Sequence, residues 1–489
     1  MIGRLLAALA WLWSAGAGAH AELLSSDPPD RARLQTAPTS VELRFNEPVT
    51  PLSMKLFSSA TAPVVLEAPV AASAVLRLPL PAELPDGAYT LSFRVTSLDS
   101  HPVGGSIAFS VGAATVPAPV LPEPDALRPW RVGVRAVRDL ALLIAAGAAI
   151  FVHAIARFPG ERRLLVGSAL VALIATFAAI GLQGAAMLGA PLWAFEAWRT
   201  ALHSSYGLSA GVAALGSLLI AGGFLRLGAA TIIASFPLTG HAAAAGLGSL
   251  APFALAMHAL AAAFWTGSLA ALLLNPTASA LRRFSRIAIF AVPVLLAAGV
   301  AFAIQQLHSL ADLTRSDYGL LIVGKFALLA ALLLLATLNR FRLLPKLERG
   351  ESAATNWLRR SIAAELALVT CVAALTAVLV QTPPPEAPWV RTVQAMGRSA
   401  ELSVAPARAG QNRVSVRFRN FEPQEVLLEM GNAAAGVEPI GRPMRLESTG
   451  HYIHEGPELA FAGAWTIEIQ ARIGDFDKVV FRADVQVYR

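Results

Sequence analysis

A single cysteine, Cys371, in 489 residues excludes a disulfide framework and any CxxC metal or redox site. It sits inside an apolar run and is read as a packing residue. Charge is also scarce: only 15% of residues are Asp, Glu, Lys or Arg, while 55% are hydrophobic. A soluble chain of this length does not have that balance, so several membrane spans are expected. No Walker motif or other nucleotide-binding signature is present, which excludes direct drive by ATP. The net charge of +7 is not a nucleic-acid signature, because much of it lies in short loops between apolar runs, where it sets topology.

Three regions remain. Residues 20–112 alternate as strands at Val41-Glu42-Leu43-Arg44-Phe45, Ser53-Met54-Lys55-Leu56-Phe57, Tyr89 to Val95 and Ser106 to Val111, separated by Pro, Gly, Asp and Ser turns. That pattern predicts a small all-β sandwich or barrel. A Pro-rich linker covers 113–130, and residues 131–382 form a polytopic α-helical membrane domain. Eight spans are expected near 133–157, 163–189, 203–225, 227–248, 251–274, 285–307, 318–341 and 358–381. A second linker, 383–398, leads to an all-β sandwich over 399–489. The fold class is therefore mixed.

The arginines and lysines cluster on one side of that topology, at Arg157, Arg162, Arg163, Arg226, Arg282, Arg283, Arg286, Arg340, Arg342, Lys346, Arg349, Arg359 and Arg360. The positive-inside rule then puts both β-domains outside an inner (plasma) membrane, facing the periplasm.

Residues 1–19 read as a signal peptide: Arg4 supplies the positive region, Leu5 to Trp13 the apolar run, and Ala17 and Ala19 the small residues before the cut. Cleavage leaves His20 first, offering an α-amine and an imidazole to a metal. Asp99 and His101, in Asp99-Ser100-His101-Pro102, complete a nitrogen-rich, thiol-free set of the kind that suits Cu(II). The plain alternative is a β-turn capped by Asp99 beside a solvated His101.

Polar groups at membrane depth usually serve a site or a pathway. His241 and His258, with Met187 and Met257 near in depth, are read as an outward-facing copper vestibule, and His203, His308 and Lys325 as further path candidates. Hydrogen bonding across helices is the alternative for each histidine. His153 falls near the cytoplasmic end. Lys325 and Glu365 read primarily as structural groups between helices, with direct pairing between them unsettled. His451 and His454 lie three apart on a predicted strand and so face opposite sides.

With His20, Ser25-Ser26-Asp27-Pro28, Leu43 to Val49 and Ser97-Leu98-Asp99-Ser100-His101-Pro102-Val103-Gly104-Gly105 in view, the first region resembles the CopC copper-binding family. The membrane region resembles CopD, through Gly240-His241-Ala242, Met257 to Leu260, Trp265-Thr266-Gly267, Arg283 to Arg286, Tyr318-Gly319, Lys325 and Asn339-Arg340. The resemblance implies Cu(II) held by the mature terminal histidine and the Asp-x-His segment, and copper import by the fused CopD part. The methionine-rich Cu(I) segment of some relatives is missing, since only Met54 lies in this domain, and Glu22 stands where some have a further histidine.

Copper is thus the expected cargo and bound metal, with membrane lipid and periplasmic copper proteins as partners, no nucleic acid and no enzymatic activity. The alternatives are a membrane-anchored copper delivery module without transport, a histidine-ligated haem protein and a copper oxygenase. The mature chain is expected to start at His20 by mass spectrometry. Titrating its first domain with Cu(II) should give a ligand-field absorption band that His101→Ala abolishes.

Overall fold

Strict alternation in Ser40–Phe45 puts Val41, Leu43 and Phe45 in a core and turns Glu42 and Arg44 outward, where Arg44 and Arg77 both pair with Glu42 at 2.9 Å. This strand belongs to the first of three regions in a computed structural model. The model describes residues 21, 23–58, 70–72, 74–81, 84–97, 102–114, 125–240, 243, 250–307, 309–385, 388–433, 436–474 and 477–488. Two compact units divide at Pro383/Pro384.

The first β-domain contains β1 (Leu23–Asp27), β2 (Ala32–Leu34), β3 (Ser40–Phe45), β4 (Thr50–Ser58), β5 (Val70–Ala72), β6 (Val75–Pro79), β7 (Gly87–Thr96) and β8 (Pro102–Val111). They form two four-stranded sheets, ordered β1-β3-β6-β5 and β2-β8-β7-β4. Side chains from both sheets, including Phe45, Leu76, Leu91 and Phe109, make one core. This is the expected sandwich.

The helical region runs α1 (Arg128–Ala154), α2 (Glu161–Leu188), α3 (Phe195–Leu202), α4 (Ser205–Ala221), α5 (Leu225–Ser235), α6 (Ala251–Leu274), α7 (Ala278–Gln306), α8 (Asp317–Leu338) and α9 (Ser352–Leu379). Local signals fix the ends. The side chains of Ser204, Thr277 and Ser316 accept the N3 amides of α4, α7 and α8, and Gly189 closes α2 at φ +62°.

Six helices are long and apolar enough to cross a bilayer, and a seventh span results if α3 and α4, bent by 81°, are counted together. The expected eight are thus not all found among the described residues. Of the span expected at 227–248, the described residues show a helix over Leu225–Ser235 and a 3₁₀ turn to Leu238 containing Pro237, and Ala243 is again helical. Eleven residues reach only about 16 Å, roughly half the hydrocarbon thickness. Gly223, at φ +92°, lets the chain reverse so that α5 packs back on α4.

Helix α1 packs against α2, α4, α5, α6 and α9 and is the centre of the bundle. Its contact with α6 is made by small residues: Gly147 lies against the Ala263 carbonyl, and Gly267 against the Gly147–Ala148 backbone, with no room for a Cβ at either. The apolar windows of α7, α8 and α9 are only 17% buried, so these helices are peripheral. Cys371, expected to pack, is exposed on α9.

The second unit is a sandwich of two antiparallel sheets, β14-β15-β11-β10-β9 and β13-β12-β16-β17, around Trp465, Phe481, Leu428 and Val416. Its strands are β9 (Trp389–Ala395), β10 (Arg398–Ala405), β11 (Gly410–Phe418), β12 (Glu425–Asn432), β13 (Val437–Pro443), β14 (Arg445–Ser448), β15 (His451–Leu459), β16 (Gly463–Arg472) and β17 (Lys478–Val487). Strand β9 pairs with β10 from Trp389 to Ala395, so the second half of the expected 383–398 linker contains a strand of the sheet.

Gly147→Val or Gly267→Val should destabilise the helical region by about 1–3 kcal/mol or more, because backbone must move. Thermal unfolding of the full chain in detergent measures the loss.

Candidate metal centre

The predicted Cu(II) ligands His20, Asp99 and His101 lie outside the described residues, but their anchors do not. Thr96 of β7 pairs with Pro102 of β8, so residues 97–101 close that hairpin. Leu23 at the start of β1 pairs with Phe45 of β3. Phe45 meets Phe93 of β7 edge-on, ring centroids 5.9 Å apart, and Gly105 opposite Phe93 leaves the ring its place, since a Cβ there would stand 2.5 Å from it. This aromatic contact brings the beginning of β1 and the end of β7 to one end of the sandwich. Buried Ala21, one residue after His20, and buried Ser97, two before Asp99, belong to that end. So does Glu47, which is only 8% exposed. Sequence reading left Glu47 unweighed, although an acid following an apolar strand was the available signal.

The same end meets the helices. Arg94 on β7 donates from Nη1 to the Ala186 carbonyl at 2.9 Å. Ala186 lies in the last turn of α2, where carbonyls lack helical partners and the dipole favours a cation. The Arg94 guanidinium also covers Gly189, where a Cβ would lie 2.7 Å from Cζ.

Beside this contact is a cavity of about 680 Å³, lined from the β-domain by Thr50, Thr96 and Ser97 and from the helices by Arg199, Thr200 and His203. The His203 Nδ1 contacts the Arg199 carbonyl at 2.8 Å. That bond places the ring hydrogen on Nδ1 and leaves Nε2 with a lone pair for a metal. Among the described path candidates, His203 is the one that shares this cavity with Thr96 and Ser97.

Deeper in, the His258 Nδ1 on α6 contacts the Leu295 carbonyl of α7 at 3.1 Å, and the ring lies beside Gly299 of α7. Lys325 lies in α8 and is half-buried. Met257 is half-buried beside His258 in sequence, and Met187 is buried in the last turn of α2. His241 and His308 fall outside the described residues.

Among the described residues no group of three or more His, Cys, Asp or Glu is gathered to hold a metal, so His258 is not part of such a group. His153 is exposed at the far end of α1, with Arg226 at 3.2–3.3 Å. Glu365 takes a hydrogen bond from Asn339, and His451 and His454 contact separate carboxylates, Glu447 at 3.3 Å and Glu458 at 3.2 Å.

Residues 23–112 match the CopC domain model, and residues 278–379 match the model of copper resistance protein D, CopD. Over 110 residues the chain is 39% identical to copper resistance protein C of Xanthomonas campestris pv. juglandis, covering 20% of this chain and 86% of that one. The chain belongs to the CopC–CopD fusion family. Similarity across such a fusion is extensive: copper transport protein CutJ of Bacillus subtilis (strain 168) is 27% identical over 522 residues, 94% of each chain. Two solved CopC-type structures also match the fusion. CopC from Methylosinus trichosporium OB3b is 27% identical, covering 21% of this chain and all of that one; PcoC, a methionine-rich copper resistance protein from Escherichia coli, is 33% identical, covering 19% and 99%. Both give a TM-score of 0.17.

Arg94→Ala should free the end of α2 from the β-domain. A charged hydrogen bond of about 1.5–3 kcal/mol predicts amide exchange in that last turn faster by about tenfold or more, read by hydrogen–deuterium exchange of the full chain.

Proposed function

We propose that this chain captures Cu(II) on the periplasmic side with His20, Asp99 and His101 and imports copper across the inner membrane through the helical region. The observation that carries this reading is the cavity shared by the first β-domain and the helices. Thr96 and Ser97, which precede the Asp99–His101 segment in sequence, line it on one wall, and His203 stands on the other. A ligand-exchange step needs donor and acceptor imidazoles within reach of one ion, and a docked hairpin supplies that proximity without diffusion. The family membership and the CutJ likeness over 94% of the chain support a copper-linked membrane role.

From His203 the next imidazole described is His258, between α6 and α7. His241, Met187, Met257, His308 and Lys325 remain candidates along the same path. The positive-inside bias supports the sidedness, with both β-domains outside. Delivery to periplasmic copper proteins without transport is the competing role for the same capture site.

His203→Ala should leave Cu(II) binding by the first domain intact and cut copper accumulation by about tenfold, the usual scale for losing a ligand or its support. Copper uptake into cells or proteoliposomes, with the ligand-field band as control, measures both. Unchanged accumulation in His203→Ala and His258→Ala would favour delivery over import.

A further inference from the structure

Away from the β-domain, a cavity of about 270 Å³ opens among α6, α7, α8 and α9, and four irregular features converge on it. Glu365 of α9 is 1% exposed and takes its hydrogen bond from the Asn339 amide nitrogen. The Asn339 Oδ1 and the Trp265 Nε1 are buried without a hydrogen-bond partner. Pro293 lies within α7 and has no amide hydrogen to offer the Ile289 carbonyl one turn back, and both residues line the cavity. Finally, Asn339 opens a π-helical turn, Asn339–Leu343, a distortion frequent at functional sites. Irregular backbone at membrane depth is tolerated where it lines a cavity.

We infer that this cavity is a binding site for a hard monovalent cation, hydronium or Na⁺, held by the Glu365 carboxylate, the Asn339 Oδ1 and the Ile289 carbonyl. The donors are all oxygen, and no histidine, cysteine or methionine is among the residues lining the cavity, which disfavours copper. One carboxylate balances one positive charge, and a buried charge without an ionic partner is costly.

The one other charge among the lining residues is Arg340. Its Nη1 donates to the Ser285 carbonyl at 3.0 Å and its guanidinium lies 5.5 Å from the Phe341 ring centroid, so it is engaged away from Glu365. The unpartnered Trp265 N–H suits the oxygen of a water that accompanies the ion. Resting on the import reading, the site supplies the coupling ion that a chain without a nucleotide motif needs.

Infrared difference spectra of the full chain in nanodiscs, without copper, test the site directly. Exchange of N-methylglucamine for Na⁺ at constant pH, or acidification alone, should shift a carboxyl stretch that Glu365→Gln removes. The first result assigns Na⁺ and the second hydronium. Trp265→Phe, which keeps the ring but lacks the N–H, should weaken that response by about tenfold even if Glu365→Gln fails to fold.

In proteoliposomes a gradient of the effective ion should raise copper uptake in the wild type and not in Glu365→Gln. A carboxyl stretch that neither ion moves, a shift that survives Glu365→Gln, or gradient-driven uptake in that variant overturns the site. An ion-sensitive Glu365 stretch with no copper uptake by the wild type sinks import and leaves the site standing.

Discussion

A guanidinium on a strand closing the end of a helix holds this architecture together. Arg94 reaches from β7 to the Ala186 carbonyl, and Gly189 beneath it gives the close approach. Surface ion pairs contribute little, but a cation on unsatisfied helix-end carbonyls has both hydrogen bond and dipole in its favour. Arg94 thereby ties the strand that leads into the Asp99–His101 segment to the helices. The cavity containing Thr96, Ser97 and His203 follows from that docking.

Two polar groups of the helical region are placed near departures from helical regularity. His258 uses the Leu295 carbonyl just past Pro293, while Glu365 and Asn339 meet at the π-helical turn on the other side of that proline. Pro293 thus lies between two polar layers of α7. The hydrophobic core of the bundle is otherwise rich in alanine and leucine, whose side chains have nothing to offer an ion.

What could be read from sequence followed from period and composition. The two-residue alternation of β3, β7 and β8 announced itself because one face of each is buried, whereas β2 and β5 are too short to alternate visibly. Strand β9 hid behind the Pro383-Pro384-Pro385 run, which suggested a linker extending through it. Hydropathy does not register that Gly223 lets α5 fold back on α4, or that α3 and α4 meet at a bend of 81°. The pairings that make sites were invisible for a different reason. Nothing local to Arg94 indicates a carbonyl 92 residues away, and nothing near Glu365 indicates Asn339 26 residues earlier.

The glycine contact between α1 and α6 has a mechanical corollary. Two helices touching backbone to backbone, with Gly147 and Gly267 interlocked, have no slack in which to slide. They act as a stator. Any conformational cycle that exposes the bundle first to one face of the bilayer and then to the other has to be carried by α7, α8 and α9, whose loosely held flanks can swing against that fixed pair.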